Sequence, residues 1–211
     1  MIGADFDPVM TAEPNYRSAI ADYIRREARP VEKYSHQPRL YALSRLVAEG
    51  QSYDDDVLFA AAWMHDLGVF YGHRPQDPVE LERWDNVQYA VAEAPGILTG
   101  MGFPDAKIPA VLEAIRTHQP SCEPVAIEGV ILRDADILEQ LGAIGIVRAV
   151  CKIGRDTRYA TFAPVIEALR RGLVALPGQL RLQAARRLAQ SRIQILEAFL
   201  QAIDRESLGF L

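Results

Sequence analysis

Eight consecutive apolar residues, Val57 to Met64, run without a polar interruption straight into His65-Asp66, and Leu67-Gly68 follow. A helix that is apolar at every phase has no face to give to water, so it has to lie in the middle of a protein core. The run is far shorter than the ~20 residues of a membrane span. Asp54, Asp55 and Asp56 stand in front of it, where negative charge suits a helix N-terminus. Gly68 is the natural stop. A chain built round such a segment needs several other helices to cover it, and it delivers an imidazole and a carboxylate together at the edge of its own core.

The rest of the chain supplies those helices. Apolar residues recur at helical spacing almost throughout, and no segment pairs strand alternation with hairpin turn chemistry. The spacing predicts helices over about 15–29, over a second segment carrying Leu40, Leu43 and Val47 and closed by Gly50, over 83–100, 105–118, 125–142, 162–175 and 179–206. Loops are expected over 68–78 and at Pro120 to Pro124, and the basic stretch Arg148 to Tyr159 is expected to hold the end of a helix and a loop. The expected fold class is all-α, a single-domain helical bundle over 1–211. Its chemistry-bearing part lies at about 30–150, and the helices of 160–206 pack on it.

Composition excludes several classes. Apolar residues make up 49% and charged residues 24% of the 211, enough to bury a full core and unlike a disordered chain. Residues 1–145 carry 12 Lys/Arg against 23 Asp/Glu, a balance of −11, while 146–211 carry 11 against 5, a balance of +6. So acidic a chain is a poor nucleic-acid binder, and its two parts are expected to pair with each other. Cys122 and Cys151 have no metal-type spacing, and Cys151 is expected as a core thiol. With no basic-then-apolar leader in view, a cytoplasmic protein without nucleic-acid or membrane partners is expected.

Four histidines occur, His36, His65, His73 and His118. Neutral imidazole together with carboxylate suits a divalent cation, with Mn²⁺, Fe²⁺, Co²⁺, Ni²⁺, Zn²⁺ or Mg²⁺ as candidates. A site needs more than His65 and Asp66. His36 opens the second helix, and Asp134 and Asp136 interrupt an otherwise apolar helix. Two residues apart means ~200° apart round a helix, so only one of these aspartates can face inward with the ligands. An inward carboxylate needs a cation or strong donors, since burying it unpaired would cost several kcal/mol, roughly.

The order His36, His65-Asp66, then a late aspartate resembles the HD-domain metal-dependent phosphohydrolases. Ala60-Ala61-Ala62-Trp63-Met64-His65-Asp66-Leu67-Gly68 is similar to that family's central helix, and His36-Gln37-Pro38-Arg39 to its first His motif. Glu128 with Ile131 to Leu138, Leu141 to Arg148, and a tail carrying Arg192 and Phe199 are similar to a bacterial single-domain subgroup. The resemblance implies an HD-type helical fold and a metal held by His36, His65, Asp66 and Asp136. Asp136 is favoured over Asp134 because Ala135-Asp136-Ile137-Leu138 matches the setting of the family's late ligand.

It further implies a phosphohydrolase acting on a small phosphorylated metabolite, a nucleotide foremost, with Asp66 taking a proton from water. His118 and Arg39 would assist catalysis, and His73, Arg74 and Arg148 would contact substrate. Two departures are plain. The subgroup's further His, about twenty residues on, is missing from Glu82-Arg83-Trp84-Asp85-Asn86-Val87, leaving Asp85 or Asn86 as its nearest substitute. Val69 and Phe70 stand where some nucleotide-cleaving relatives have an acid. A hydratase or lyase acting on a non-phosphate substrate, and a non-catalytic metal- and nucleotide-binding module, are the competing readings.

Overall fold

The computed structural model describes residues 15–154 and 159–210. Ten α-helices run through them: α1 (Asn15–Glu27), α2 (His36–Val47), α3 (Asp55–Met64), α4 (Pro78–Glu82), α5 (Asn86–Gly100), α6 (Ile108–Thr117), α7 (Ile127–Glu139), α8 (Gly142–Val150), α9 (Phe162–Ala175) and α10 (Gln183–Glu206). Among the described residues there is no strand beyond one isolated bridge between Tyr71 and Arg74, so the fold is all-α. No helix among them is long and apolar enough to cross a membrane.

α3 is the axis. All eight residues from Val57 to Met64 are buried, and α1, α2, α6 and α7 pack round them. Its start is anchored three ways. The Asp54 side chain accepts from the Asp56 and Val57 backbone N–H groups, an N-cap of the usual kind. The Asp54 N–H in turn donates to Glu128 on α7 at 2.8 Å. Asp55 and Asp56 do more than suit the helix dipole: Arg17 of α1 reaches both, and Lys107 reaches Asp56 at 2.7 Å.

Several boundaries differ from those the periodicity predicts. The helix expected over 83–100 starts three residues later, at Asn86, because Asp85 turns its side chain onto the Val87 and Gln88 N–H groups and caps it there, and the short α4 before it lies where the periodicity predicts no helix. The helix expected over 125–142 ends at Glu139, and a separate α8 begins at Gly142, a residue at φ +68°. A Cβ on Gly142 would stand 3.0 Å from the Arg192 backbone of α10, so both the turn and the close crossing require glycine. Cys151, expected in the core, is exposed just beyond α8. Arg155, within the basic stretch Arg148 to Tyr159, lies outside the described residues.

The C-terminal helices close one side of the bundle. α10 packs on α7, α8, α9 and α2. Its entry is held by Asp134, which is fully buried and accepts the N–H groups of Arg181 at 2.9 Å and Leu182 at 2.7 Å. The neighbouring buried Arg133 donates to the carbonyls of Gln179 and Pro120, both at 2.8 Å. Arg192 ties the middle of α10 to the Leu138 carbonyl at 2.7 Å.

Candidate metal centre

α2, α3 and α7 pack against one another, and each brings polar residues to one spot. His36 is the first residue of α2, His65 caps the C-terminal end of α3 with Asp66 next, and Asp136 lies on the inward face of α7. His36 and His65 are buried, while Asp66 and Asp136 keep 20% and 14% of their side chains exposed, enough to open onto solvent.

The Nε2 atoms of His36 and His65 face each other at 3.3 Å. Asp66 Oδ2 lies 3.5 Å from the first and 3.6 Å from the second, and Asp136 Oδ1 lies 3.7 Å from His36 Nε2. Both rings are oriented from behind. His36 Nδ1 donates to Glu139 at 3.3 Å, and His65 Nδ1 donates to the Ala62 carbonyl at 3.0 Å. With both Nδ1 atoms carrying the proton, both Nε2 atoms present lone pairs, and two such acceptors at this distance need a cation between them or a proton on one. Two imidazole nitrogens and two carboxylates with an open side therefore fit a divalent cation, and His36, His65 and Asp66 cluster closely enough to hold one.

Residues 34–141 match the HD domain family. The chain belongs to that family. The protein YpgQ of Bacillus subtilis (strain 168) is 24% identical over 184 residues, 83% of this chain and 84% of its own. A crystal structure of YpgQ in complex with ADP shares the fold of this HD protein at a TM-score of 0.66, with 21% identity, covering 92% of this chain and 98% of the other. An HD-superfamily hydrolase from Bacillus thuringiensis does so at 0.65, with 18% identity and coverages of 92% and 97%. This chain thus has the fold of the HD-superfamily hydrolases.

Asp134 and Asp136 diverge as their spacing on an HD-domain helix demands. Asp136 joins the cluster, and Asp134 points to the α10 entry; Arg133 approaches Asp134 only to 3.9 Å, and Arg148 turns to other carboxylates. The residue that sequence reasoning missed is Glu139. It is fully buried, yet it receives His36, the Arg39 guanidinium through Nε at 2.8 Å and Nη2 at 2.7 Å, and Arg148 at 3.3 Å. Its position three residues after Asp136 on α7 puts it on the same helix face, which was the available signal.

Burial pushes the Glu139 carboxyl up, but the bonds from His36 and Arg39 outweigh it and hold the pKa down to about 2. Asp66 is likewise pushed up by burial and pulled further down by the charges of His65, His36 and Arg148, so it stays well below the usual carboxylate range. Burial drives His36 and His118 below the ordinary histidine value, despite the Glu139 bond that favours a charged His36. Ionised carboxylates and neutral imidazoles are what a cation requires.

The remaining predicted residues separate into two groups. A cleft of about 1150 Å³ opens over the cluster, and Arg39, Arg74, His118 and Arg148 line it together with His36, Asp66 and Asp136. Arg39 and Arg148 are both engaged by Glu139. His118 donates from Nδ1 to the Ile115 carbonyl at 2.6 Å, and its ring lies 5.0 Å from that of His65. Neutral in that tautomer, it offers a lone pair at Nε2.

His73 does not reach the cleft lining. Its ring is held between Glu27 at 3.1 Å and the Tyr89 hydroxyl at 3.3 Å. Asp85, the candidate replacement for the missing histidine, is committed to capping α5.

Gly68 keeps the Asp66 turn against α5. A Cβ there would meet the Asn86 carbonyl oxygen at 2.5 Å, closer than any real contact.

Proposed function

We propose that this HD domain is a divalent-metal-dependent phosphohydrolase acting on a small phosphorylated metabolite, a nucleotide foremost. The observation that carries the reading is the facing pair of Nε2 atoms, 3.3 Å apart, with the Asp66 carboxylate beside both. His36, His65, Asp66 and Asp136 would hold the metal. When bound, such an ion supplies a Lewis acid that favours water as a nucleophile at neutral pH and offsets charge on phosphoryl oxygens.

The chain's own residues do the rest. The Asp66 carboxylate, beside both imidazoles and open to the cleft, would accept the proton of an attacking water. His118, with a free lone pair at Nε2, is a second acceptor in the same wall. Arg148 and Arg39 bring fixed positive charge to the cleft, oriented by Glu139 so that a phosphate oxygen meets donors already in place. The ADP bound in the YpgQ structure supports a phosphorylated ligand for this fold.

The test is phosphate release from a panel of nucleotides and sugar phosphates with Mn²⁺, beside metal content by elemental analysis. Wild type should bind about one metal per chain and release phosphate, and His65→Ala and Asp66→Ala should lose turnover while keeping their helical circular dichroism. Unchanged turnover in either variant refutes the reading.

A further inference from the structure

The cleft has a wall that neither the ligand set nor the basic residues account for. Val69, Tyr71, Pro78, Leu81 and Trp84 all line it, and all come from the single segment that leaves Asp66 and leads into α5. Trp84 is the best-fixed of them. Its indole Nε1–H donates to the Gly68 carbonyl at 2.7 Å, and its ring lies against Tyr89 at 5.3 Å between centroids. Gly68 is two residues past Asp66 and is itself pressed on Asn86, so the indole is tied to the metal cluster through a short, tightly packed turn.

We propose that Trp84 is the ring-recognising residue of the cleft, a flat apolar surface against which the aromatic heterocycle of a phosphorylated substrate stacks while its phosphate lies at the His36–His65–Asp66 cluster. The inference rests on the phosphohydrolase reading for the position of the phosphate, and deepens it. The only polar atom of the indole is satisfied by the protein, so what it offers a ligand is a π face. Stacking on such a face is tolerant of base identity, since every base has one. The wall therefore selects for the presence of a heterocycle and discriminates little among heterocycles.

Trp63, the other tryptophan, is buried on α3, so Trp63→Phe leaves Trp84 as the single tryptophan, excited selectively at the red edge of the absorption where tyrosine is silent. In this background, with Mn²⁺ present and the non-hydrolysable α,β-methylene analogue standing in for ADP here and below, the nucleotide should quench the Trp84 emission saturably, and inorganic pyrophosphate and ribose 5-phosphate should not. Should Trp63→Phe fail to fold, the same comparison is made as the difference between wild type and Trp84→Phe.

Isothermal titration then separates the ring from its hydrogen bond. Trp84→Phe keeps a flat face and should bind ADP within about threefold of wild type, whereas Trp84→Leu should weaken ADP at least about fivefold and leave pyrophosphate unchanged. Equal losses in the two variants, or an equal response to ADP and pyrophosphate in wild type, overturn the proposal. Saturable ADP quenching without phosphate release from any substrate would sink the phosphohydrolase reading and leave the stacking wall standing. Phosphate release with no preference for ring-bearing substrates would do the reverse.

Discussion

Asp134 and Asp136 are two residues apart on one helix and should fail in opposite ways when truncated. Asp134 is fully buried and is the acceptor for the backbone N–H groups of Arg181 and Leu182 at the entry to α10. Asp134→Ala leaves both without a partner, at roughly 1–3 kcal/mol each. Against this stands the cost of burying the carboxylate, which raises its pKa in spite of those same bonds. The net loss is about 3 kcal/mol, and at roughly 2–4 °C per kcal/mol for a domain of this size the melting temperature should fall by about 10 °C.

Metal content should stay at the wild-type level. Asp136→Ala should instead lose the metal and, melted in EDTA, stay within about 2 °C of wild type, because among the described residues its carboxylate accepts only from Gln140 at 3.2 Å and otherwise lies near His36 at 3.7 Å and Arg148 at 4.0 Å. Calorimetric melts of both apoproteins, beside elemental analysis of both as purified, measure the two effects separately. An Asp134→Ala protein that melts like wild type but has lost its metal would show that the assignment of the two aspartates is reversed.

Glu139→Gln keeps the shape of the side chain but removes the charge that holds His36 Nδ1–H, and metal affinity measured by titration should fall about 10- to 100-fold. Glu139 also sets an acid limit on stability. Its folded pKa of about 2 lies below the unfolded value near 4.5, so its contribution is fully present above that value and is lost as pH falls towards 2. Denaturation of apoprotein across that window should show a steeper acid loss in wild type than in Glu139→Gln, and parallel slopes would contradict the role of His36 and Arg39 in holding Glu139 ionised. His73→Ala should leave metal content and phosphate release within twofold of wild type and lower stability by about 1 kcal/mol, since its partners are Glu27 and Tyr89 and not the cleft; a selective loss of turnover would place it in the site after all.

The amino-acid sequence by itself determined the helical class, the central position of Val57 to Met64, the placing of Asp54 in front of it, and the pairing of His65 with Asp66 at its end. These are local properties: a helix apolar at all phases must be buried, and a short acidic side chain before it finds free N–H groups whatever the rest of the chain does. Asp85 carries the same local signal, and the helix expected from 83 begins directly after it at Asn86; α4 before it has no apolar periodicity to announce it.

Tertiary structure alone decided the site's second layer. His36 and Glu139 are 103 positions apart, and nothing in either neighbourhood states that one will orient the other. The 200° rule showed that Asp134 and Asp136 part company, but which of them faces the cluster depends on how α7 is rotated against α2 and α3. That rotation is settled by packing α7 against its neighbours and by the demand of two N–H groups at the entry to α10 for a buried acceptor. His73 went elsewhere for the same kind of reason: Glu27 and Tyr89 lie 46 and 16 residues from it, and only the folded chain brings them to its ring.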